Sequence, residues 1–238
     1  MKRIRSITEQ VYVSLRADLI ACRVKPGSRL RTIELSKRFG VSLSAVREAL
    51  ARLSAEGLAL ADPQRGFTAA PISAADLMAL AEAHMGVEAL CIQRSLLVGD
   101  AAWENRLAAS FDELLAVPIE SHYLSFEYAA AYTAYEFALV AACDNPWFMR
   151  LRATLSAQAE RYKHICLPAA SVEPDATRIL GDICHAAIER DAALTVSLVA
   201  KVRRINTARF VKVLEGSVDE IQYLSMTGST ADSPNAQP

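Results

Sequence analysis

The sequence has no apolar stretch long enough to cross a membrane. A spanning helix needs roughly 18 consecutive apolar residues, and the 238-residue chain, 52% hydrophobic and 22% charged, contains no such run. Its first ten residues, MKRIRSITEQ, also lack the apolar block of a secretory signal. We therefore expect a cytoplasmic protein of two domains with no membrane partner.

Cysteine occurs five times but never in a Cys-x-x-Cys pair. An odd number of scattered cysteines does not suit a disulfide framework or a zinc cluster. We expect reduced, buried thiols at all five positions, which are Cys22, Cys91, Cys143, Cys166 and Cys184.

Familiar catalytic motifs are absent as well. The chain has no Gly-x-x-x-x-Gly-Lys phosphate loop, no His-Glu-x-x-His zinc pair and no Gly-x-Ser-x-Gly nucleophile turn. The sequence therefore predicts that the protein is not an enzyme. A small helical enzyme stays as an alternative, which turnover of a substrate by the helical part of the chain would favour.

The net charge of -1 is divided unequally along the chain. Residues 1 to 70 carry 13 Lys and Arg against 6 Asp and Glu, a net charge of +7, and the remainder carries a net charge of -8. A basic segment of domain size suits neutralisation of DNA phosphates, although it also suits an acidic protein or a membrane surface.

The first 57 residues predict three helices. Apolar residues at four-residue spacing in SITEQVYVSLRADLI indicate a helix capped near Ser6 or Thr8, followed by a type II turn at Pro26-Gly27. A short helix over residues 32–39 stops at Gly40, and a third helix runs from there to Gly57. Two short helices joined around a glycine have helix-turn-helix spacing.

The third helix, with Ser42 as its cap, has one apolar face and one polar face. Val46 and Leu50 lie on the apolar face, whereas Ser44 and Arg47 point away from it. In a helix-turn-helix the first turns of the second helix enter the major groove, where an Arg can bind a guanine edge. Arg47 is therefore the first candidate for a DNA contact.

An alternative for Arg47 is an ordinary surface role. In that case its guanidinium pairs with a nearby carboxylate, Glu48 or Glu34. The helix spacing and the +7 charge of the segment favour the DNA contact.

After Gly57, the segment LALADPQRGFTAAP predicts a β-hairpin with a basic tip, which is a wing. Beyond it the sequence is rich in Ala and Leu with helical periodicity, so the second part is all α. We expect a winged helix-turn-helix over residues 1–70, a linker over 71–73, an all-helical domain over 74–225 and a disordered tail over 226–238. The expected helices of the second domain span residues 74–98, 101–116, 121–143, 145–165, 174–190 and 191–214.

The stretch LRTIELSKRFGVSLSAVREALARLSAEGLALADPQRGF resembles the winged helix-turn-helix of GntR-family bacterial repressors. Their pattern is roughly PG…L…LA…GVS…VREAL..L..EGL…RGF. The helical remainder resembles the FCD-type effector domain of the FadR branch, through HMGVEALCIQRSL, NPWF and AAIERDAA. The resemblance implies a mainly α protein with an N-terminal winged helix-turn-helix followed by a helical effector bundle. It also implies that the protein binds DNA as a homodimer.

The resemblance and the basic residues together define a set of expected DNA contacts. The FadR branch often has Arg at the positions of Leu43 and Ile33, which are apolar here, so we expect an operator different from the usual one. Basic residues such as Arg29, Lys37 and Arg38 are candidates for phosphates or ordinary solvated charges. The expected contacts are Arg31, Thr32, Ser42, Ser44, Arg47, Arg52, Arg65 and Gly66.

The metal site of FCD domains has no counterpart in this sequence. Those domains use an Asp and a His four residues apart, followed by two later His. By the resemblance these positions are Tyr132, Glu136, Leu180 and about Val202, the last two uncertain by one residue. One carboxylate without imidazoles is a poor transition-metal site, so we expect no metal cofactor.

We expect instead a pocket for a small organic effector. His84, Tyr132 and Glu136 are the expected lining, and Arg161 with His164 forms a basic pair that suits a carboxylate. A charged His84 would favour an anion and Glu136 a cation, and the sequence does not choose between them. His84 has a structural alternative, in which it is buried and donates to a backbone carbonyl or to Glu88.

The leading hypothesis is a dimeric bacterial transcriptional regulator, a repressor, that binds a palindromic operator. A small organic effector would change the geometry of its two DNA-binding parts. The alternative is a dimeric DNA-binding protein that has no effector. Thermal stabilisation of the protein by a small ligand would exclude this alternative.

Overall fold

The computed structural model describes residues 7–118, 125–167 and 175–216. Their secondary structure is α1 (Ile7–Ile20), β1 (Arg29–Leu30), α2 (Thr32–Phe39), α3 (Leu43–Ala55), β2 (Ala59–Asp62), β3 (Gly66–Ala69), α4 (Ala74–Val98), α5 (Ala101–Ala116), α6 (Phe126–Val140), α7 (Pro146–Cys166), α8 (Ala176–Ile188) and α9 (Ala192–Gly216). We call α1 to β3 the head and α4 to α9 the bundle. The fold is mainly α, a winged helix-turn-helix followed by a helical bundle, as predicted.

Local sequence determines the turns of the head. The Ser28 amide donates to the Lys25 carbonyl at 3.0 Å, and Gly27 has φ +77°, as a type II turn requires. Gly40 ends α2 with φ +64°, and the Ser42 hydroxyl caps α3 by accepting from the Ala45 amide at 3.2 Å. The predicted helix-turn-helix is confirmed.

The head contains one strand that the sequence did not indicate. Strand β1 pairs with β3, with Arg29 opposite Thr68, so the sheet order is β1-β3-β2 and the hairpin is anchored to the chain before α2. Two residues are too few to show an alternating pattern. The head core is formed by apolar side chains of α1, α2, α3 and the strands, which include Leu15, Leu35, Leu50, Leu53 and Leu58.

The bundle helices begin at capping residues. Ser73 caps α4, Asp100 caps α5, and Asn145 with Pro146 begins α7. Helix α4 packs on α7 and α9, and α5 packs on α6 and α8. The bundle core includes Trp103, Leu107, Tyr135, Leu139 and Ile183.

The predicted helices of the bundle are close to the observed ones. Helices α4 and α5 have the predicted bounds, and α7 and α9 differ by one or two residues at each end. Part of the predicted helix over 121–143, part of that over 174–190, the Ser6 cap and the predicted tail over 226–238 lie outside the described residues.

The structure can be compared with the expectations for the cysteines and for membrane spans. All five cysteines are free thiols, and all but the half-buried Cys22 are buried. Within the described ranges no helix combines the length and hydropathy of a membrane span.

Candidate DNA interface and effector cavity

Helix α3 has one buried face and one exposed face. Val46, Leu50 and Leu53 are fully buried against the rest of the head. Ser44 and Arg47 are exposed on the opposite face. The helix is therefore held by its apolar face and presents polar side chains outward.

The Arg47 guanidinium forms no hydrogen bond or ion pair within the part of the chain that the structure describes. The carboxylate of Glu34, which was one alternative partner, is 2.9 Å from Arg31 instead. Arg47 is thus available for a DNA base edge or phosphate, whereas the exposed Arg31 would first have to leave Glu34.

Two other basic residues of the head are held by internal contacts. Arg52 donates to Glu9 at 2.7 Å and its guanidinium lies 3.7 Å from the Tyr12 ring centroid. Arg38 donates to the buried Asp18 carboxylate at 2.6 Å. The Arg52 guanidinium joins α3 to α1 within the head and would have to leave Glu9 to reach DNA, so its expected DNA contact stays a prediction.

The wing tip presents one basic side chain. Arg65 is exposed, and the Asp62 carboxylate accepts from the amides of Gln64 at 2.8 Å and Arg65 at 3.0 Å. Gly66 has φ +83°, which few other residues adopt. Gly66 therefore allows the chain to turn at the tip of the hairpin. Arg65, next to it, is the exposed basic side chain of the wing.

A cavity of about 110 Å³ lies between α4, α6, α7 and α9 of the bundle. His84, Tyr132 and Glu136 line it, as do Leu180 and Val202. The four positions that resemblance assigned to the family metal site therefore surround one cavity. Within the described ranges, no three His, Cys, Asp or Glu side chains are grouped to hold a metal ion.

His84 is buried at one end of this cavity and is neutral. Its Nδ1 accepts from Arg203 Nη1 at 2.9 Å, and its Nε2 lies 3.2 Å from the Ser156 hydroxyl and 3.5 Å from Glu88. Burial lowers the pKa of His84 and the Arg203 charge acts in the same direction, against the hydrogen bond to Glu88. A guanidinium cannot accept a hydrogen bond, so the proton of the neutral ring is on Nε2.

Glu136 is surrounded by cations. Its carboxylate is 3.4 Å from Lys163 Nζ and 3.5 Å from Arg203 Nη2. Burial acts to raise the pKa of Glu136, but Lys163, Arg203 and Arg152 lower it to about 2. Lys163 also pairs with Glu160 at 2.8 Å and Arg152 with Glu88 at 2.7 Å. The ionised Glu136 carboxylate therefore belongs to a network of alternating charges.

Helix α7 contacts both the cavity and the head. Its residues Ala159 and Lys163 line the cavity. From the same helix, Gln158 Nε2 donates to the carbonyl of Glu56 at the end of α3 at 2.8 Å. The buried Arg161 donates to the carbonyls of Ala70 and Pro71.

Comparison with known proteins identifies the family. The model of bacterial regulatory proteins of the gntR family matches residues 7–68. BphR of Paraburkholderia xenovorans (strain LB400), described as an uncharacterized HTH-type transcriptional regulator, is 34% identical over 166 residues, which is 68% of this chain and 68% of BphR. The chain belongs to the GntR family. GntR regulators bind DNA operators, so this GntR protein is a bacterial transcriptional regulator and its relatives are regulators rather than enzymes.

Two further proteins are similar to this GntR protein in sequence or in fold. The transcriptional repressor GlaR of Escherichia coli (strain K12) is 28% identical over 158 residues, 66% of this chain and 72% of GlaR. The structure of E. coli McbR/YncC has a TM-score of 0.71 at 19% identity, covering 88% of this chain and 99% of that one. At that identity the likeness shows a shared fold.

Two residues expected in the pocket of this GntR protein lie elsewhere. Arg161 is 3% exposed and contacts the linker, and His164 packs against the Phe126 ring at 5.5 Å between ring centroids. Lys163, between them in sequence, lines the cavity instead. Residues two apart on a helix point about 200° apart, so Arg161 and Lys163 cannot share a wall.

Sequence reasoning also missed Arg203 and the aromatic lining. The resemblance placed the last metal position at Val202, with an uncertainty of one residue. Arg203 lies within that uncertainty, so the resemblance did indicate this part of α9 as cavity wall. Tyr128, Tyr162 and Phe210 line the cavity without any motif that would have indicated it.

Proposed function

We propose that this GntR-family regulator represses transcription as a homodimer on a palindromic operator and responds to a small organic effector bound in the bundle cavity. It would be a member of the FadR branch with an FCD-type C-terminal domain. The proposed division is a DNA-binding domain over 1–70, a linker over 71–73 and an effector domain over 74–225. Because its target is the bacterial chromosome, we infer a cytoplasmic location.

The observation that carries this proposal is the position of α7. The helix forms a wall of the cavity through Ala159 and Lys163, and it hydrogen-bonds to the head through Gln158 and Arg161. A ligand that displaces α7 would therefore act on the carbonyl at the end of α3. Coupling between two sites requires a packed element that both sites contact and that can shift between arrangements, and α7 contacts both the cavity and the head.

DNA binding would use the exposed face of α3 and the wing. Arg47 would contact a base edge, supported by Ser42, Ser44 and Thr32 at the ends of the two short helices. Arg29, Lys37 and Arg65 are exposed and would contact phosphates.

Dimerisation is supported by apolar surface on the bundle. Leu97 is 73% exposed on α4, and Trp147 and Leu151 are 67% and 52% exposed on α7. Exposed apolar surface of this kind is typical of protein interfaces. A second copy covering it would hold two heads on one two-fold axis.

The test is a cavity-filling substitution that imitates an effector. A duplex is first selected from a random pool with the full chain. Ala159→Leu, which adds three carbon atoms to the cavity wall on α7, should change the affinity for that duplex at least about threefold. Ala109→Leu, exposed on α5, is the control and should leave it unchanged. Equal affinities of wild type and Ala159→Leu would favour a DNA-binding protein without an effector.

A further inference from the structure

Leu43 is an exposed apolar side chain on the face of α3 that carries Arg47. It is the first residue of α3, directly after the Ser42 cap, and it is 45% exposed. Arg47 follows four residues later, so the two side chains lie one above the other on the same face of the helix. The apolar residues that hold α3 in the head are fully buried on its other face. Leu43 therefore belongs to the outward surface of α3 and not to the head core.

The bundle contacts α3 at the end opposite to Leu43. There Gln158 Nε2 donates to the Glu56 carbonyl at 2.8 Å. Helix α3 has 13 residues, so at a rise of 1.5 Å per residue its two ends are about 18 Å apart. Leu43 thus lies at the end of α3 that points away from this contact.

The surroundings of Leu43 are polar and basic. Ser42 and Ser44 flank it and are exposed, and the Arg47 guanidinium forms no ion pair within the described residues. Other exposed cations of the head are Arg29, Lys37 and Arg65. A polyanion matches these charges, whereas an apolar side chain cannot bind a phosphate. The surface that fits both is a DNA major groove, whose base edges carry hydrogen-bonding groups and one apolar group, the C5 methyl of thymine.

We propose that Leu43 contacts the C5 methyl group of a thymine in each operator half-site. This assignment rests on the proposed function, in which the exposed face of α3 contacts the operator through Arg47. The first turns of a recognition helix enter the major groove, and the Leu43 side chain points toward the N-terminal end of α3. A base without this methyl group leaves apolar surface of Leu43 in water, so thymine is preferred at this position.

The distance between Leu43 and Arg47 gives the place of the thymine. One helical turn, about 5.4 Å, separates the two residues along the axis of α3. With roughly 3.4 Å for each base-pair step, the thymine lies within about three base pairs of the base that Arg47 contacts.

The experiment removes only the methyl group. In the duplex selected with the full chain, each thymine of the half-sites is replaced in turn by deoxyuridine, at equivalent positions of both half-sites. Replacement of one such thymine should weaken binding of the full chain at least about threefold, which is the effect expected for one buried methyl group. Deoxyuridine outside the half-sites should leave the affinity unchanged. A duplex in which no thymine of the half-sites is sensitive would overturn the proposal.

Matched variants assign the sensitivity to Leu43. Leu43→Ala shortens an exposed side chain and places a strong helix former in α3, so the variant should fold. It should bind the thymine and deoxyuridine duplexes with affinities within about twofold of each other. Leu115→Ala, 48% exposed on α5, is the control and should keep the wild-type preference.

Two results with Leu43→Ala would overturn the proposal. One is a preference for thymine as large as that of the wild type. The other is weaker binding to every duplex by the same factor, since Leu43 would then act at a contact between protein chains.

Arg47→Ala separates this inference from the proposed function. If Arg47→Ala binds like wild type while the deoxyuridine sensitivity depends on Leu43, the proposed role of Arg47 is contradicted and the thymine contact stands. If Arg47→Ala binds more weakly while the sensitivity does not depend on Leu43, the thymine contact is overturned and the proposed function stands. Failure of the full chain to select any sequence would overturn both.

Discussion

At the scale of single residues, Arg47 differs from the other arginines near it, because its guanidinium has no ion-pair partner among residues 7–118, 125–167 and 175–216. It projects from the exposed face of α3, while Arg31 and Arg52 are held by Glu34 and Glu9. A base contact therefore requires no internal ion pair to break. This distinguishes Arg47 from its neighbours more clearly than sequence could.

Arg47→Ala should cost about 1–3 kcal/mol of operator binding, because a bidentate base contact is lost. Fluorescence anisotropy with the selected duplex measures it. Arg106→Ala, exposed on α5, is the matched control and should bind like wild type. If Arg47→Ala binds like the control, Arg47 does not contact DNA.

Glu136 links the cavity to the stability of the fold. Its folded pKa of about 2 lies below the ordinary value of 4.5. Because the folded pKa is lowered, the ionised carboxylate stabilises the folded state above about pH 4.5, and this contribution is lost as pH falls toward 2. The stabilisation is on the order of 3 kcal/mol.

Glu136→Gln should therefore unfold more easily than wild type at pH 7, with a difference that shrinks as pH falls from 5 to 3. Urea titrations at several pH values measure the free energy of unfolding. Asn105→Ala, exposed on α5, removes no charge and should parallel wild type. A difference between Glu136→Gln and wild type that is constant across this pH range would show that the pKa of Glu136 is not lowered in the folded state.

At the scale of elements, α7 is the connection between bundle and head. Arg161 donates to the carbonyls of Ala70 and Pro71, where the head meets the linker. It also donates to Gln158 at 2.9 Å, and Gln158 in turn contacts the end of α3. Burial lowers the pKa of this guanidinium, which is 3% exposed. Its position implies a structural role in holding the two parts together.

Arg161→Met should lower the free energy of unfolding by about 1–3 kcal/mol, because buried carbonyls lose their donor. Hydrogen exchange of residues 56–73 should become faster in the folded variant. Arg150→Met, also on α7 but stacked on the exposed Trp147 at 4.9 Å, should leave that exchange unchanged. Equal exchange in Arg161→Met and wild type would show that the contact does not hold the head.

At the scale of the whole molecule, the sequence predicted helices far better than the directions of side chains in the bundle. Glycine, proline and capping serine determine turns locally, so α2, α3, α4 and α5 could be placed from their own residues. Which of Arg161 and Lys163 faces the cavity depends on how α7 packs against α1, α4 and α9. That packing involves residues far apart in sequence, which no single motif encodes.

The cavity illustrates the same limit. Tyr132 and Glu136 could be chosen because a resemblance supplied their positions. Arg203 is 67 residues from Glu136 in sequence, and only the packing of α9 against the bundle brings the two charges together. The role of these side chains in binding an effector stays a prediction.

The central claim is that two heads of a symmetric dimer bind one operator, and the salt dependence of binding tests it most directly. Each head exposes Arg29, Lys37 and Arg65, with Arg31 as a fourth candidate, so two heads would make about six to eight phosphate contacts. The logarithm of the association constant of the full chain for the selected duplex should then fall against the logarithm of salt concentration with a slope of about -5 to -7. The selected sequence should be a two-fold repeat. A slope of about -3 or shallower, on a site without symmetry, would contradict the account.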